Sequence, residues 1–346
     1  MPCYKPLKLW YDKRSRQENK KLIVYKVTGQ ETDLKESDVV GSMDIPCGQC
    51  YGCRLDYSRE WADRIMLELQ LHDPEKCFFV TLTYSPEWIN RPDTCLRYIT
   101  DTSTGECTDR CSHSLNLKNL QDFMKRLRKA LEPDKIRFFA CGEYGDERGR
   151  PHFHLILFNA DLRGHGGLEP YKQNFNGDQY YTSPLLEKVW PYGFNVVAKV
   201  TWKDAAYVAR YMMKKAKGAD SKVYEELNLK PPFTVMSRVP GIAHDYYKGD
   251  EEKGLDPHKR AVYNKTYIGT EDGSVTICPP RYFKKLLYYE DPEEWLQLSE
   301  ENKKKAIERE KIIMSQTTMS KTEYLENLYK NVQQASEILN SYRNKV

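Results

Sequence analysis

The segment Arg150-Pro151-His152-Phe153-His154-Leu155-Ile156-Leu157-Phe158 constrains this chain more than any other. His152 to Phe158 is a short apolar run interrupted only by two histidines, which reads as a strand anchored in a core. Side chains two apart in a strand share a face, so His152 and His154 stand side by side on rigid backbone. Paired imidazoles of that kind make a metal site. An isolated His-x-His more often only hydrogen-bonds at a sheet edge, and Glu143 is what argues for more. Lys135 to Glu143 reads as a preceding strand and Gly145 to Gly149 as a turn. A hairpin would lay Glu143 across from the histidines and complete a His-His-carboxylate set with positions left for water or phosphate oxygens. Asp146 and Glu147 are nearer in sequence but sit in the turn, and rank below Glu143.

A second constellation is Tyr207-Val208-Ala209-Arg210-Tyr211-Met212-Met213-Lys214-Lys215. At about 100° per residue, Tyr207, Arg210, Tyr211, Lys214 and Lys215 gather on one side of a helix. Ala205, Ala206, Val208, Ala209, Met212, Met213 and Ala216 occupy the other. Tyrosines can simply roof a core, but here both lie among cations. A phenol titrates near pH 10 and needs help to attack a phosphodiester. Lys214 or Arg210 would favour the phenolate and the extra negative charge of the phosphoryl transition state. Tyrosines four apart are neighbours one turn apart, so a strand held on one can pass to the other. Thr201 and Asp204 have capping-box spacing for the start of this helix, expected over about Lys203 to Ala216.

Around these motifs the chain alternates strand and helix signals. Leu22 to Val27 is a strand candidate, Arg54 to Leu71 has helical periodicity, and Cys77 to Tyr84 is a buried strand rich in β-branched and aromatic residues. Pro92 to Ser114 is a polar loop or small hairpin around Thr104-Gly105. Leu117 to Leu131 is an amphipathic helix with a basic outer face, ended by Pro133-Asp134. Asn159 to Gln179 reads as a Gly/Asn-rich loop, and Gly193 to Thr201 as another strand. The expectation is an α+β fold with a mostly antiparallel central sheet and helices on one face. The chain divides into a Cys-rich segment with a helix (1–72), the domain carrying the motifs (73–250), and a charged, mainly helical region (251–346). Within the last, Leu325, Leu328, Val332, Ala335 and Leu339 form an apolar stripe.

Cys47, Cys50 and Cys53 form a tight Cys-x-x-Cys-x-x-Cys run, and Cys3 can supply a fourth thiolate. A structural zinc site is the functional reading, against three reduced thiols in a turn; an iron–sulfur cluster fits the spacing poorly. Cys107, Cys111 and His113 are a weaker group of the same kind. No secretion signal or apolar run of about 20 residues is present, so reduced cysteines and a cytoplasmic location are expected. The formal charge is only +4, but basic clusters at Lys13 to Lys21, Lys125 to Lys129 and Lys214 to Lys217 recur near the motifs.

Pro151-His152-Phe153-His154, the Tyr207/Tyr211/Lys214 helix and Phe79-Val80-Thr81-Leu82-Thr83 together resemble the His-hydrophobe-His (HUH) endonucleases, the superfamily of rolling-circle initiators and relaxases. Pro46-Cys47-Gly48-Gln49-Cys50-Tyr51-Gly52-Cys53-Arg54, Phe123 to Arg128, Cys141-Gly142-Glu143-Tyr144-Gly145 and Ala206 to Tyr211 resemble more specifically the replication initiators of gokushovirus-type microviruses. The likeness spans roughly Pro46 to Tyr247, with Pro92 to Ser114 resembling an insertion. It implies nicking of one strand at an origin, a 5′-phosphotyrosine link, a 3′-hydroxyl primer and rejoining through the second tyrosine. His152, His154 and Glu143 would hold Mg²⁺ or Mn²⁺, and Arg150, Arg210 and Lys215 would contact DNA. The implied partners are single-stranded and origin DNA. With no Gly-x-x-x-x-Gly-Lys-Ser/Thr loop in the sequence, a host helicase and polymerase are expected too, in a bacterial host's cytoplasm. Three competing readings stay open: a non-catalytic single-stranded nucleic-acid-binding module, a metal-dependent phosphatase or nuclease using activated water, and a relaxase or transposase of the same superfamily.

Overall fold

The computed structural model describes residues 3–12, 39–89, 99–100, 107–108, 113–145, 149–173, 177–210, 219–226, 229–249, 265–270 and 273–343. Leu22 to Val27 lies outside them. The chain forms two units, one from Met1–Asp56 with Gln297–Val346 and one from Tyr57–Leu296.

The larger unit is built on a seven-stranded sheet. Its strands are β3 (Phe78–Tyr84), β6 (Arg137–Tyr144), β7 (Pro151–Phe158), β8 (Glu169–Gln173), β9 (Gln179–Thr182), β10 (Gly193–Lys199) and β11 (Phe233–Met236), in spatial order β11-β6-β7-β3-β10-β9-β8. Every neighbouring pair is antiparallel. The expected α+β class and antiparallel sheet are what the structure has. Two separate two-stranded antiparallel sheets are β4 (Ile99–Thr100) with β5 (Cys107–Thr108) and β12 (Thr266–Thr270) with β13 (Gly273–Ile277), while Thr104 and Gly105 lie outside the described residues.

Alternation sorts the central strands onto two faces. Phe78, Val80, Leu82 and Tyr84 of β3 share a core with Leu120, Phe123, Met124 and Leu127 of helix α3 (Leu117–Ala130). Asn116 caps that helix, accepting from the Lys118 and Asn119 amides at 2.9 and 3.3 Å; losing such a cap costs about 1 kcal/mol. The short helix α4 (Pro184–Val189), capped by Ser183, joins the same core. The other face meets the second half of α1 (Tyr51–Leu69): the Trp61 ring lies 5.2 Å from Phe139. The expected helical layer is thus present, and α1 adds a second layer opposite it. A polar stretch expected as loop, Asn159 to Gln179, instead contains β8, whose residues are all exposed. Such an edge strand has no apolar alternation to betray it in sequence.

One ionic node fixes α1 to the sheet. Glu68, 1% exposed, accepts from Arg137 at the start of β6, from the Ala243 amide at 2.5 Å, and contacts His72 Nε2 at 3.2 Å. Burial works against its charge, but these partners outweigh burial and hold its carboxyl below the usual range. Removing one partner leaves the Arg137 charge uncompensated, so Glu68→Ala is expected to cost about 3–5 kcal/mol in chemical denaturation. The pair's contribution is present above pH about 4.3, the ordinary glutamate value, and is lost as pH falls through the lower folded value. A variant as stable as the parent would remove this account.

In the smaller unit β1 (Leu7–Asp12) pairs with β2 (Val39–Ile45), and helices α9 (Pro292–Ser315) and α10 (Lys321–Arg343) contribute most of the rest. Leu328 and Val332, two residues of the expected apolar stripe, pack with Tyr329 against Tyr4, Cys50 and Cys53. The side chains of Ala335 and Leu339 fall outside the description.

Candidate active site and metal centres

The β6–β7 hairpin forms in the register the sequence implies, with Glu143 directly opposite His152 and Cys141 opposite His154. On β3, Thr83 pairs with His152 and Thr81 with His154. Strand alternation therefore puts Glu143, His152, His154 and Thr81 on the face opposite the α3 core. Glu143 Oε1 lies 2.7 Å from His152 Nε2 and 3.0 Å from His154 Nε2. The imidazoles are nearly perpendicular, at 85°, with centroids 4.9 Å apart.

Neighbours decide which nitrogen each ring presents. His152 Nδ1 lies 3.1 Å from the Arg150 carbonyl oxygen; a carbonyl only accepts, so Nδ1–H donates and Nε2 points at Glu143. His154 Nδ1 lies 3.0 Å from Thr81 Oγ1, and its ring stacks on Phe79 at 5.5 Å and 15°. These are outer contacts of the kind that orient metal ligands. Burial raises the Glu143 carboxyl, but the hydrogen bonds and charges of the two histidines overcome it and bring it down to about 2. Two imidazole nitrogens and one carboxylate oxygen thus converge on one point. Cis ligands of an octahedral ion bound at 2.0–2.1 Å stand about 2.9 Å apart, so the donor spacing fits a divalent cation. Glu143, His152 and His154 can hold a metal ion.

Helix α5 (Trp202–Arg210) begins at the expected capping box. Thr201 donates its amide and hydroxyl to Asp204 Oδ2 at 2.8 and 2.7 Å, and accepts from the Asp204 amide at 3.3 Å. Ala205, Val208 and Ala209 are buried, the helix packs against β7, and Arg59 of α1 sits 5.6 Å from the Trp202 ring. The helix bearing position 207 therefore runs beside the histidine strand. The side chains of Tyr207 and Arg210 lie outside the described residues, as do Tyr211, Lys214, Lys215, Asp146 and Glu147. Arg150 is described: its Nη2 donates to the Tyr84 carbonyl at 2.9 Å and ties the hairpin to β3. Thr81 and Phe79, which hold His154, were not singled out from sequence as site residues. Their signal was alternation, since both fall between the core-facing residues of β3.

The smaller unit carries a second centre. The sulfurs of Cys3, Cys47, Cys50 and Cys53 lie within 4.8 Å of one another, with Cys3–Cys50 at 3.8 Å and Cys47–Cys53 at 4.0 Å. Four sulfurs at about 2.3 Å from a central zinc would stand about 3.8 Å apart. The Cys47 amide donates to Cys3 Sγ at 3.3 Å, and the Gln49 and Cys50 amides to Cys47 Sγ at 3.4 and 3.2 Å. Burial raises the Cys50 thiol, but backbone amides and neighbouring sulfurs bring it down to about 6, while burial and the other thiols push Cys53 up. Clustered sulfurs, two buried and two half-buried, that cannot all ionise without a cation suit a metal. The group can hold a metal ion. For the weaker group, the Cys107 side chain and Cys111 lie outside the described residues.

No helix among the described residues is long and apolar enough to cross a membrane. Residues 77–216 match the family model of replication-associated protein ORF2/G2P. The chain is 30% identical to replication-associated protein ORF2 of Spiroplasma virus 4 over 322 residues, covering 89% of this chain and 88% of that protein. It is 26% identical to replication-associated protein VP4 of Bdellovibrio phage phiMH2K, covering 89% and 84%. With replication-associated protein ORF4 of Chlamydia phage 1 the identity is 29%, over 71% of this chain and 54% of that one. No solved structure matches. With the hairpin, the histidine pair and the helix beside it falling inside the matched segment, the chain belongs to the ORF2/G2P replication-associated proteins of gokushovirus-type microviruses.

Proposed function

We propose that this protein starts rolling-circle DNA replication as a site- and strand-specific nickase and ligase of the HUH endonuclease type. The observation that carries the reading is the convergence of His152, His154 and Glu143 on the sheet face beside which α5 runs. A divalent cation bound there, Mg²⁺ or Mn²⁺, would polarise the scissile phosphate; the imidazole donors suit Mn²⁺ better. Tyr207 or Tyr211 supplies the attacking oxygen, with Tyr211 the first candidate because Lys214 follows it most closely. The phenol loses its proton to solvent as Lys214 and Arg210 favour the phenolate. A phenol O–P bond forms as the P–O3′ bond breaks, and the departing 3′-oxygen takes up a proton to become the primer hydroxyl. The second tyrosine repeats the exchange one round later, and the 3′-hydroxyl it frees attacks the phosphate on the first tyrosine, forming the P–O3′ bond that closes the circle and releasing the first phenol. Arg150, Arg210 and Lys215 would add phosphate contacts. The Cys3/Cys47/Cys50/Cys53 group would hold a structural Zn²⁺. Host helicase and polymerase complete the process in the bacterial cytoplasm.

The test is a denaturing gel of the protein with labelled single-stranded DNA from the virus's own genome, in Mn²⁺ or EDTA. The expected result is a metal-dependent covalent adduct that persists in Tyr207→Phe or Tyr211→Phe alone and disappears in the double variant. Cleavage without an adduct, surviving the double variant, would show that activated water does the chemistry. Binding without cleavage on any genome segment would leave only a binding module. Full activity requiring one tyrosine alone would favour the relaxase or transposase alternative.

A further inference from the structure

Strand pairing lines up one row of side chains across four strands on the metal-site face: Glu143 on β6, His152 on β7, Thr83 on β3 and Phe194 on β10. Phe194 is 61% exposed, and no other phenylalanine among the described residues is exposed. Single apolar side chains on a surface are ordinary, but this one stands on the central sheet and its direction is enforced from both sides. Asn195, 2% exposed, accepts from the Ser183 amide at 2.9 Å and donates to the Ser183 carbonyl at 3.3 Å beneath the opposite face. Strand alternation must then turn Phe194 toward the histidines' face. At Gly193 any Cβ would collide with the backbone of Thr83 and Tyr84, so β10 starts in tight apposition to β3. Strands lie about 4.8 Å apart, which puts the Phe194 backbone roughly 10 Å from that of His152, with only the short Thr83 side chain in the row between. Farther out, Lys172 Nζ sits 5.6 Å from the Tyr171 ring and 5.8 Å from the Tyr180 ring.

We infer that Phe194 is a stacking platform for a base of the single strand whose scissile phosphate lies at His152, His154 and Glu143. This deepens the nicking reading and rests on it for what the strand is doing there. Every base has a flat face, so a ring on an open sheet grips a strand without reading its sequence. A base held there would fix how far the strand advances past the metal ligands. The Lys172 ammonium with its two rings continues the same chemistry of phosphate and base toward the sheet edge.

The experiment measures binding of a fluorescent oligothymidylate to the full chain in EDTA, where no cleavage occurs. Phe194→Ala is expected to weaken binding about tenfold, the lower-middle of the range for a lost base–aromatic stack. Phe194→Leu, which keeps apolar bulk without a ring, should weaken it similarly, and Phe194→Trp should restore it. Melting temperatures should stay unchanged, because the side chain is exposed. Oligonucleotides carrying 5-iodouracil should photocrosslink to the peptide containing Phe194. Binding unchanged in Phe194→Ala, or as tight in Phe194→Leu as in the parent, overturns the platform even if the protein nicks DNA normally. The aromatic-dependent pattern supports it even if no tyrosine adduct is ever found, in which case the nicking reading alone falls.

Discussion

Replacing His152 and His154 together by alanine is expected to lower strand cleavage about a thousandfold or more while leaving binding of single-stranded DNA within a few fold. The two Nε2 atoms and Glu143 Oε1 make up the three donors, and one carboxylate alone does not retain a divalent ion against water. Charge stabilisation by a bound metal is worth several kcal/mol in the transition state, and each 1.36 kcal/mol is tenfold in rate. Glu143→Gln keeps the shape and removes the charge, so it should weaken Mn²⁺ binding, measured calorimetrically, and require more metal for the same rate. Cleavage by the double alanine variant at the parent's rate in Mn²⁺ would sink the assignment of these residues. The DNA-binding control matters because His154 also stacks on Phe79; loss of both binding and cleavage would signal a disturbed sheet.

The second large effect is expected at Cys50. Native mass spectrometry of the purified chain should show one zinc, and Cys50→Ser or a strong chelator should remove it. Structural zinc in small sites is worth roughly 10–16 kcal/mol of apparent binding energy near neutral pH, comparable to the whole stability of an ordinary domain. The sulfurs are the floor on which α10 rests, through Leu328, Tyr329 and Val332. The Tyr4 and Tyr329 rings lie 5.6 Å apart, and Lys321 reaches Asp44 at 2.9 Å and Glu310 at 2.8 Å. Without the metal, trypsin should cut within 321–343 while the seven-stranded sheet keeps its near-ultraviolet circular dichroism. Zinc-free protein with α10 still protected would show that the thiols are bystanders.

The parts of this molecule legible in its sequence are those where local pattern and tertiary role coincide. The apolar run of β7 with its two histidines, a glycine-bounded turn and a carboxylate at the end of β6 sufficed to place Glu143 opposite His152. The capping box at Thr201 and Asp204 was likewise local chemistry. Cys3, far from the other three cysteines, could be nominated only because thiolate sites need a fourth ligand. What escaped notice was built from pieces with no strong period. β8 is exposed throughout, β11 is four residues following a Pro-Pro pair, and their pairing is decided by neighbours rather than by their own residues. Helix α4 did carry a readable signal, Ser183 as cap and Pro184 in the first turn. The exposure of Phe194 could not be read at all, since a phenylalanine in a strand ordinarily belongs to a core.

The discontinuous make-up of the smaller unit sets an order of events during synthesis. Residues 57–296 contain the whole seven-stranded sheet and leave the ribosome before α10 has been made. The Cys3, Cys47, Cys50 and Cys53 thiols emerge before the sheet, yet the helix that covers them emerges after it. A nascent chain can therefore complete the sheet that carries Glu143, His152 and His154 while its cysteine turn still lacks the helix that covers it. Capturing a cation early would shield those thiols through the wait. It would also leave a preformed seat for α10 once that helix has been made.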